Sequence, residues 1–422
     1  MKSKIPHVPA LVALTVVVSS PALFALCAGF SDRVTAAGSE SRNLNLDGVY
    51  GLLDVLDAIM ARHPNYVEEI GRFRAMDNPD RRRLIDDAIA KHEQDQRVVS
   101  SLDALYATAA YSMYFARFKN ITLEAHRRII LALPFTTQPS PADISSNLQE
   151  LCSHREAVRS WANEVAAKID LDSCRGRAQR WLPSGQYDLP IVHFIYDGNG
   201  DAFASSGAVC FDLFGVVVSR LPVRSRFDDL AHLGVERIES VLAHELHHVF
   251  SNRLGGNREL SLADWRARQP HHLAWRFVSE GVAMRCDLEE GVRREAMEDS
   301  ATVLYWIGQL NEKLAEIVSG AIDEDTWFKW YNTTYHELAS QRLREFLART
   351  RPGDDLDVLM ERYASARPSL DYTLGWWMIS RVLDAPGGYD TAMRLLSAPD
   401  QLFSEYDRAI GDAPREFHVV VP

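Results

Sequence analysis

The segment Val241-Leu-Ala-His-Glu-Leu-His-His-Val-Phe250 contains the pattern His-Glu-x-x-His, formed by His244, Glu245 and His248. On a helix, residues four apart lie one turn above each other on the same face. The imidazoles of His244 and His248 could therefore bind one Zn²⁺ ion, and Glu245 could take a proton from a water molecule at that ion. The chain has 14 histidines, so a short pattern can arise by chance and needs support from the surrounding sequence.

The residues around this motif predict an amphipathic helix. Apolar side chains recur at helical spacing from Val235 to Phe250, and Leu254-Gly255 is a typical helix end. At about 100° per residue, His244 and His248 fall opposite the centre of the apolar stripe. We expect the core on one side of this helix and a cleft, faced by the two histidines, on the other.

A catalytic zinc ion needs a third protein ligand and an open position. A third histidine in the pattern His-x-x-Gly-x-x-His is excluded, because Ser251 and Leu254 occupy the Gly and His positions. A glutamate on a second helix is the alternative, and Glu280 supplies one in a helical stretch that starts near Pro270. Four rival ligands remain open at this stage: His271, His272, Glu259 and Asp264.

Gly281 follows the predicted ligand directly. A glycine within a helix costs about 1 kcal/mol relative to alanine, so it should have a packing reason. Close approach to the motif helix, which would bring Glu280 to the metal, is the reason we expect.

Together these features resemble a gluzincin metallopeptidase of the broad peptidase MA type. The resemblance covers about residues 189–288, with a weaker extension near Tyr372, and it rests on a strand pair at 190–214, the His-Glu-x-x-His motif and Glu280-Gly-Val-Ala283. It implies that His244, His248 and Glu280 are ligands of one zinc ion per chain and that Glu245 is the general base.

The resemblance also implies where a substrate binds. The strand around Gly207–Phe214 would be the sheet edge beside the cleft, along which an extended peptide could bind by strand addition. One departure is clear: thermolysin-like members place an aspartate four residues after the third ligand, where this chain has Met284. The side chain that orients a histidine is therefore different here, and Asp287 is the candidate.

A donor for the developing oxyanion is expected on a later helix. The run Asp371-Tyr-Thr-Leu-Gly375 resembles the Tyr-x-x-Gly helix start of related families, so Tyr372 is the candidate. The competing interpretation is a buried core tyrosine beside Trp376 and Trp377. Less favoured donors are Tyr331, Tyr335 and His336.

The N-terminus predicts export. Lys2 and Lys4 precede an uncharged, mostly apolar run from Ala10 to Phe30, and small residues follow as far as Ala37. This is typical of a secretory signal peptide, which we place at residues 1–37, and an uncleaved membrane anchor is the alternative. We expect a secreted or periplasmic protein.

Four cysteines remain after the predicted signal peptide, and the sequence allows either two disulfides or four free thiols. They are Cys152, Cys174, Cys210 and Cys286.

The fold class predicted is α+β and predominantly helical. Helical patterns fill a region at 38–185, and 186–422 reads as a zincin-like catalytic domain with a small mixed sheet and a helical C-terminal subdomain. Hydrophobic residues at 46% are ordinary for a globular chain, and a net charge of −12 argues against nucleic acid as a partner.

The function predicted is a zinc-dependent peptidase that hydrolyses peptide bonds outside the cytoplasm. Its partner would be a peptide or protein substrate, without nucleic acid and without membrane contact beyond the N-terminal segment. The alternative is a catalytically inactive binding or assembly protein on a gluzincin-like scaffold, suggested by the large helical region without visible chemistry.

Overall fold

The structure, a computed structural model, describes most of the chain after the N-terminal segment. The described residues are 43–119, 121–135, 144–196, 202–205, 207–213, 235–254, 265–286, 300–331 and 370–420. The predicted signal peptide lies outside them. No helix of the described residues is long and apolar enough to cross a membrane.

Helices follow one another through the N-terminal region. Several begin where the side chain of an aspartate or threonine accepts a hydrogen bond from a backbone N–H two or three residues further on, as Asp77, Thr122 and Asp170 do. The bounds are α1 Asp47–Met60, α2 Tyr66–Ala75, α3 Asn78–Gln94, α4 Gln96–Tyr106, α5 Ala109–Arg117, α6 Leu123–Ala132, α7 Ile144–Lys168 and α8 Leu171–Gln179.

A small mixed sheet lies beside these helices. Its strands are β1 Leu44–Asn45, β2 Val192–Ile195, β3 Ala202–Ser205 and β4 Ala208–Asp212, in the spatial order β1-β2-β4-β3. The pairs β1–β2 and β2–β4 are parallel, whereas β3 runs antiparallel to β4. The expectation that the strand at 207–214 forms the edge is therefore wrong. β4 is paired on both sides, and the edges of the described sheet are β3 and the two-residue strand β1.

Two helices follow the sheet and carry the predicted site. They are α9 Glu236–Asn252 and α10 Trp265–Ala283. The second begins earlier than expected and contains Pro270 in its interior. The helices after them are α11 Ser300–Ser319, α12 at residues 324–331, α13 Leu370–Asp384, α14 Gly388–Leu395 and α15 Leu402–Ile410. The predicted class, α+β and predominantly helical, is confirmed.

One hydrophobic core joins the N-terminal helices to the later part of the chain. It includes fully buried Leu52 of α1, Phe194 of β2, Phe250 of α9 and Ile379 of α13. Helix α1 approaches β2 so closely that a Cβ atom at Gly48 would lie 2.7 Å from the carbonyl oxygen of Phe194. A boundary near residue 185 remains a prediction from the sequence.

The cysteines left open by the sequence form no disulfide with one another in the structure. The side chains of all four are buried as thiols: Cys152, Cys174, Cys210 and Cys286. Burial raises the pKa of the Cys152 thiol to about 12, which keeps it protonated and unreactive at neutral pH.

Candidate metal centre

Helices α9 and α10 bring the three predicted ligands together. The Nε2 atoms of His244 and His248, one turn apart on α9, lie 3.0 Å from each other. Oε2 of Glu280, on α10, lies 3.4 Å from Nε2 of His244 and 3.3 Å from Nε2 of His248. Among the described residues this is the only group of three potential ligand atoms that all lie within 4.8 Å of one another.

These atoms are spaced as zinc ligands are. Tetrahedral zinc with bonds of about 2.0–2.2 Å places neighbouring ligand atoms roughly 3.3 Å apart. Oε2 of Glu280 is also buried and makes no hydrogen bond of normal geometry among the described residues. A metal cation would supply the missing partner of this buried carboxylate oxygen, which faces two imidazole nitrogens. Two histidines and one glutamate fit zinc with one position left for water or substrate.

The three groups interact strongly because they lie close together and are largely buried. Burial raises the pKa of Glu280, but the neighbouring imidazoles of His248 and His244 outweigh it and hold this pKa well below its usual range. Burial lowers the pKa of His248, and the negative charge of Glu280 reverses that effect. The electrostatic attraction that favours a proton on these ligand atoms also favours a divalent cation in place of the proton.

Glu245 lies beside the ligands on α9 and is 7% exposed. Burial raises the pKa of its carboxyl group, although the imidazoles of His244 and His248 act in the opposite direction. The guanidinium of Arg117, at the end of α5, also lowers this pKa. The N-terminal helices therefore contribute to the electrostatics of the site.

Ser279 orients one of the histidines. Its Oγ lies 2.9 Å from Nδ1 of His248, so the ring is held with Nε2 directed at Glu280. This contact was not predicted, because serine is common and adjacency to Glu280 is the only signal for it in the sequence. Met284, which stands where thermolysin-like peptidases have an aspartate, packs against Trp376 instead. Asp287 lies outside the described residues.

Gly281 has a packing reason, but a different one from that predicted. A Cβ atom there would lie 2.2 Å from the carbonyl oxygen of Gly375 on α13, and a Cβ atom at Gly375 would lie 2.5 Å from the carbonyl oxygen of Phe277. The two glycines let α10 and α13 cross with their backbones in contact. Glu280 does approach the motif helix as predicted, but Gly281 is not the reason, because the glycine faces α13.

A buried ion pair joins the same two helices. Nε of Arg276, one turn before Glu280 on α10, donates to Oδ2 of Asp371 on α13 at 2.9 Å. The hydroxyl of Tyr331 donates to the other carboxylate oxygen of Asp371. Asp371 is 6% exposed and immediately precedes Tyr372. The sequence contained no local signal for this pair, since its partners meet only when α10 and α13 pack.

Tyr372 lies at the metal centre. Its ring centroid is 6.1 Å from that of His244, and the side chain also packs against the cluster of Met284 and Trp376. The ring therefore lies between a predicted ligand, His244, and these core side chains. Among the rival donors, Tyr331 uses its hydroxyl on Asp371, and Tyr335 and His336 lie outside the described residues.

The other histidines near the motif are placed elsewhere. His247 is fully buried, and its Nε2 lies 3.0 Å from the carbonyl oxygen of Trp181. His271 and His272 are on α10 but not in the group with His244 and His248. The ring of His272 packs against Trp275. The two remaining rival ligands, Glu259 and Asp264, lie outside the described residues.

Comparison with known proteins identifies a family. The profile of a family described as "Putative zinc dependent peptidase (DUF5700)" matches residues 102–339, more than half of the chain and all of the residues from Glu236 to Glu280. No curated protein and no solved structure matches. The matched region contains the motif helix, the helix of Glu280 and much of the N-terminal helical region. The chain therefore belongs to the family described as putative zinc dependent peptidases (DUF5700).

Proposed function

We propose that this protein is a zinc-dependent peptidase of the gluzincin type that hydrolyses peptide bonds outside the cytoplasm. The observation that carries the proposal is the convergence of His244, His248 and Glu280, with Glu245 beside them. The description of the family supports zinc dependence and peptide hydrolysis. The predicted signal peptide at residues 1–37 supports export, with an uncleaved anchor as the alternative.

The residues of the metal centre would have two roles, metal binding and proton transfer. His244, His248 and Glu280 would hold one zinc ion, which when bound supplies Lewis-acid chemistry that lowers the pKa of a water molecule and polarises a carbonyl group. Glu245 would accept a proton from the attacking water and later donate it to the departing amine. Because burial raises the pKa of Glu245, its carboxyl group is better able to hold this proton between the two transfers.

The substrate is a peptide or protein, and the edge strand β3 is where it would bind. β3 pairs with β4 on one side, and its other side is the edge of the described sheet. An extended peptide that added to this edge would form main-chain hydrogen bonds independent of its side chains. β3 contacts α9, the helix that carries Glu245.

The direct test combines metal analysis with peptide cleavage. The purified chain should contain about one strongly bound zinc ion and should cleave members of a peptide library, and a chelator should stop cleavage. Glu280→Gln should reduce zinc affinity by about 10-fold or more, since the neutral amide is a poor ligand. Glu312→Gln, on the exposed side of α11, is the control and should change neither property. Zinc binding without any cleavage would instead favour a binding protein on the same scaffold.

Tyr372→Phe tests the oxyanion donor. Removing only the hydroxyl should lower kcat by about 10²–10³-fold while leaving KM and zinc content near their wild-type values, because this hydrogen bond would strengthen in the transition state. Steady-state kinetics and metal analysis measure the three quantities. Tyr305→Phe, at an exposed tyrosine of α11, is the matched control. If kcat is unchanged in Tyr372→Phe, Tyr372 is not the oxyanion donor and only packs against its neighbours.

A further inference from the structure

Two histidines outside the metal centre face each other in the N-terminal region. His63, in the connection between α1 and α2, and His92, in α3, have their Nε2 atoms 2.9 Å apart. His92 is 2% exposed, and the side chain of His63 is 13% exposed. The rings meet edge to face, and the ring of Phe135 packs against His63. The contact is therefore shielded from solvent.

The opposite nitrogens determine which atoms carry hydrogen. Nδ1 of His92 lies 2.8 Å from the backbone carbonyl oxygen of Leu131, which can only accept, so Nδ1 carries the hydrogen. Nδ1 of His63 lies 2.7 Å from Oε2 of Glu69, which accepts when ionised. In two neutral rings both Nε2 atoms are then left with lone pairs. Lone pairs facing each other at this distance repel unless a cation lies between them.

The cation could be a proton or a metal ion. A shared proton would make one of the two rings an imidazolium and leave a single N–H···N hydrogen bond between them. Metal-binding histidines, by contrast, characteristically donate the second ring N–H to a carboxylate or a backbone carbonyl, and this pair does one of each. The Nε2 separation is also close to the 3.0 Å between His244 and His248. These features favour the metal ion.

We propose that His63 and His92 form a second, separate site for a transition-metal ion, with both Nε2 atoms as ligands and Glu69 as the carboxylate that orients His63. Imidazole ligands suit zinc, copper and nickel. Two protein ligands are fewer than in structural or catalytic zinc sites, so the affinity should be lower than at the first centre. An ion here would tie the α1–α2 connection to α3 and stabilise the N-terminal helices.

The test isolates this site in the full chain. In the variant His244→Ala/His248→Ala, equilibrium dialysis against zinc chloride followed by metal analysis should still show one zinc ion per chain. Adding His63→Ala should remove it. Adding Glu69→Gln should weaken binding by about 10-fold, the usual cost of losing such an orienting carboxylate. Glu68→Gln, at the exposed neighbour on α2, is the matched control and should leave binding unchanged.

The absence of zinc binding outside the first centre would overturn the proposal. If the folded variant His244→Ala/His248→Ala binds no zinc, the pair holds a shared proton and there is no second metal site. Should that variant fail to fold, the wild-type chain decides: two zinc ions per chain, reduced to one by His63→Ala, support the site. One zinc ion in both the wild type and His63→Ala would overturn it.

Discussion

Glu245→Gln is expected to lower the kcat of peptide hydrolysis by about 10²–10⁴-fold, the contribution of a well-placed general base. The amide has nearly the shape of the carboxylate, but it cannot accept a proton. Since the carboxylate is not among the three converging ligand atoms, zinc content should stay at the wild-type value. Glutamine also keeps the buried volume of this side chain, so the melting temperature should change little.

The measurement needs both kinetics and metal analysis on the same preparation. Glu236→Gln, in the first turn of the same helix and exposed, is the matched control and should retain full activity. Loss of zinc together with activity would mean that Glu245 supports the metal site rather than the proton transfer. Undiminished turnover in Glu245→Gln would falsify the proposed mechanism.

Gly281→Ala is expected to destabilise the protein and disturb the metal centre together. The added Cβ atom would lie 2.2 Å from the carbonyl oxygen of Gly375, a backbone atom that cannot rotate away. Helices α10 and α13 would have to move apart, and Glu280 is the adjacent residue on α10. We expect the free energy of unfolding to fall by about 1–3 kcal/mol or more, the usual cost of overpacking, and zinc affinity to fall with it.

Gly308→Ala provides the control for this second prediction. Gly308 is an exposed glycine within α11, and nothing lies within 4 Å of a Cβ atom placed there. The same substitution should therefore raise the free energy of unfolding by up to about 1 kcal/mol, because alanine is the better helix former. Urea unfolding followed by circular dichroism, together with zinc titration, measures both variants. If Gly281→Ala keeps the wild-type stability and zinc affinity, the backbones of α10 and α13 are not in close contact at this glycine.

Several features of the site could be predicted because they depend on local geometry. His244 and His248 share a face of a helix by their spacing alone, and Glu245 must lie next to them whatever the rest of the chain does. Gly281 was likewise recognisable as a costly residue within a helix. Glu280 was selected among several candidates through a resemblance between short motifs, and its side chain does lie beside the two histidines.

Other features required the tertiary structure, because they join residues far apart in sequence. Local periodicity predicts which face of a helix is apolar, but it does not say which neighbour covers that face. The contact of Gly281 with Gly375, the pairing of Arg276 with Asp371 and the position of β3 at the sheet edge all arise from packing between distant segments.

The contrast is sharpest for the histidines. The pair in the motif helix could be identified from spacing, since one helical turn brings the two rings together. His63 and His92 belong to different segments 29 residues apart, and no local spacing joins them. Only the packing of the α1–α2 connection against α3 directs their Nε2 atoms at each other. The sequence by itself thus determined the motif, while long-range packing decided what surrounds it.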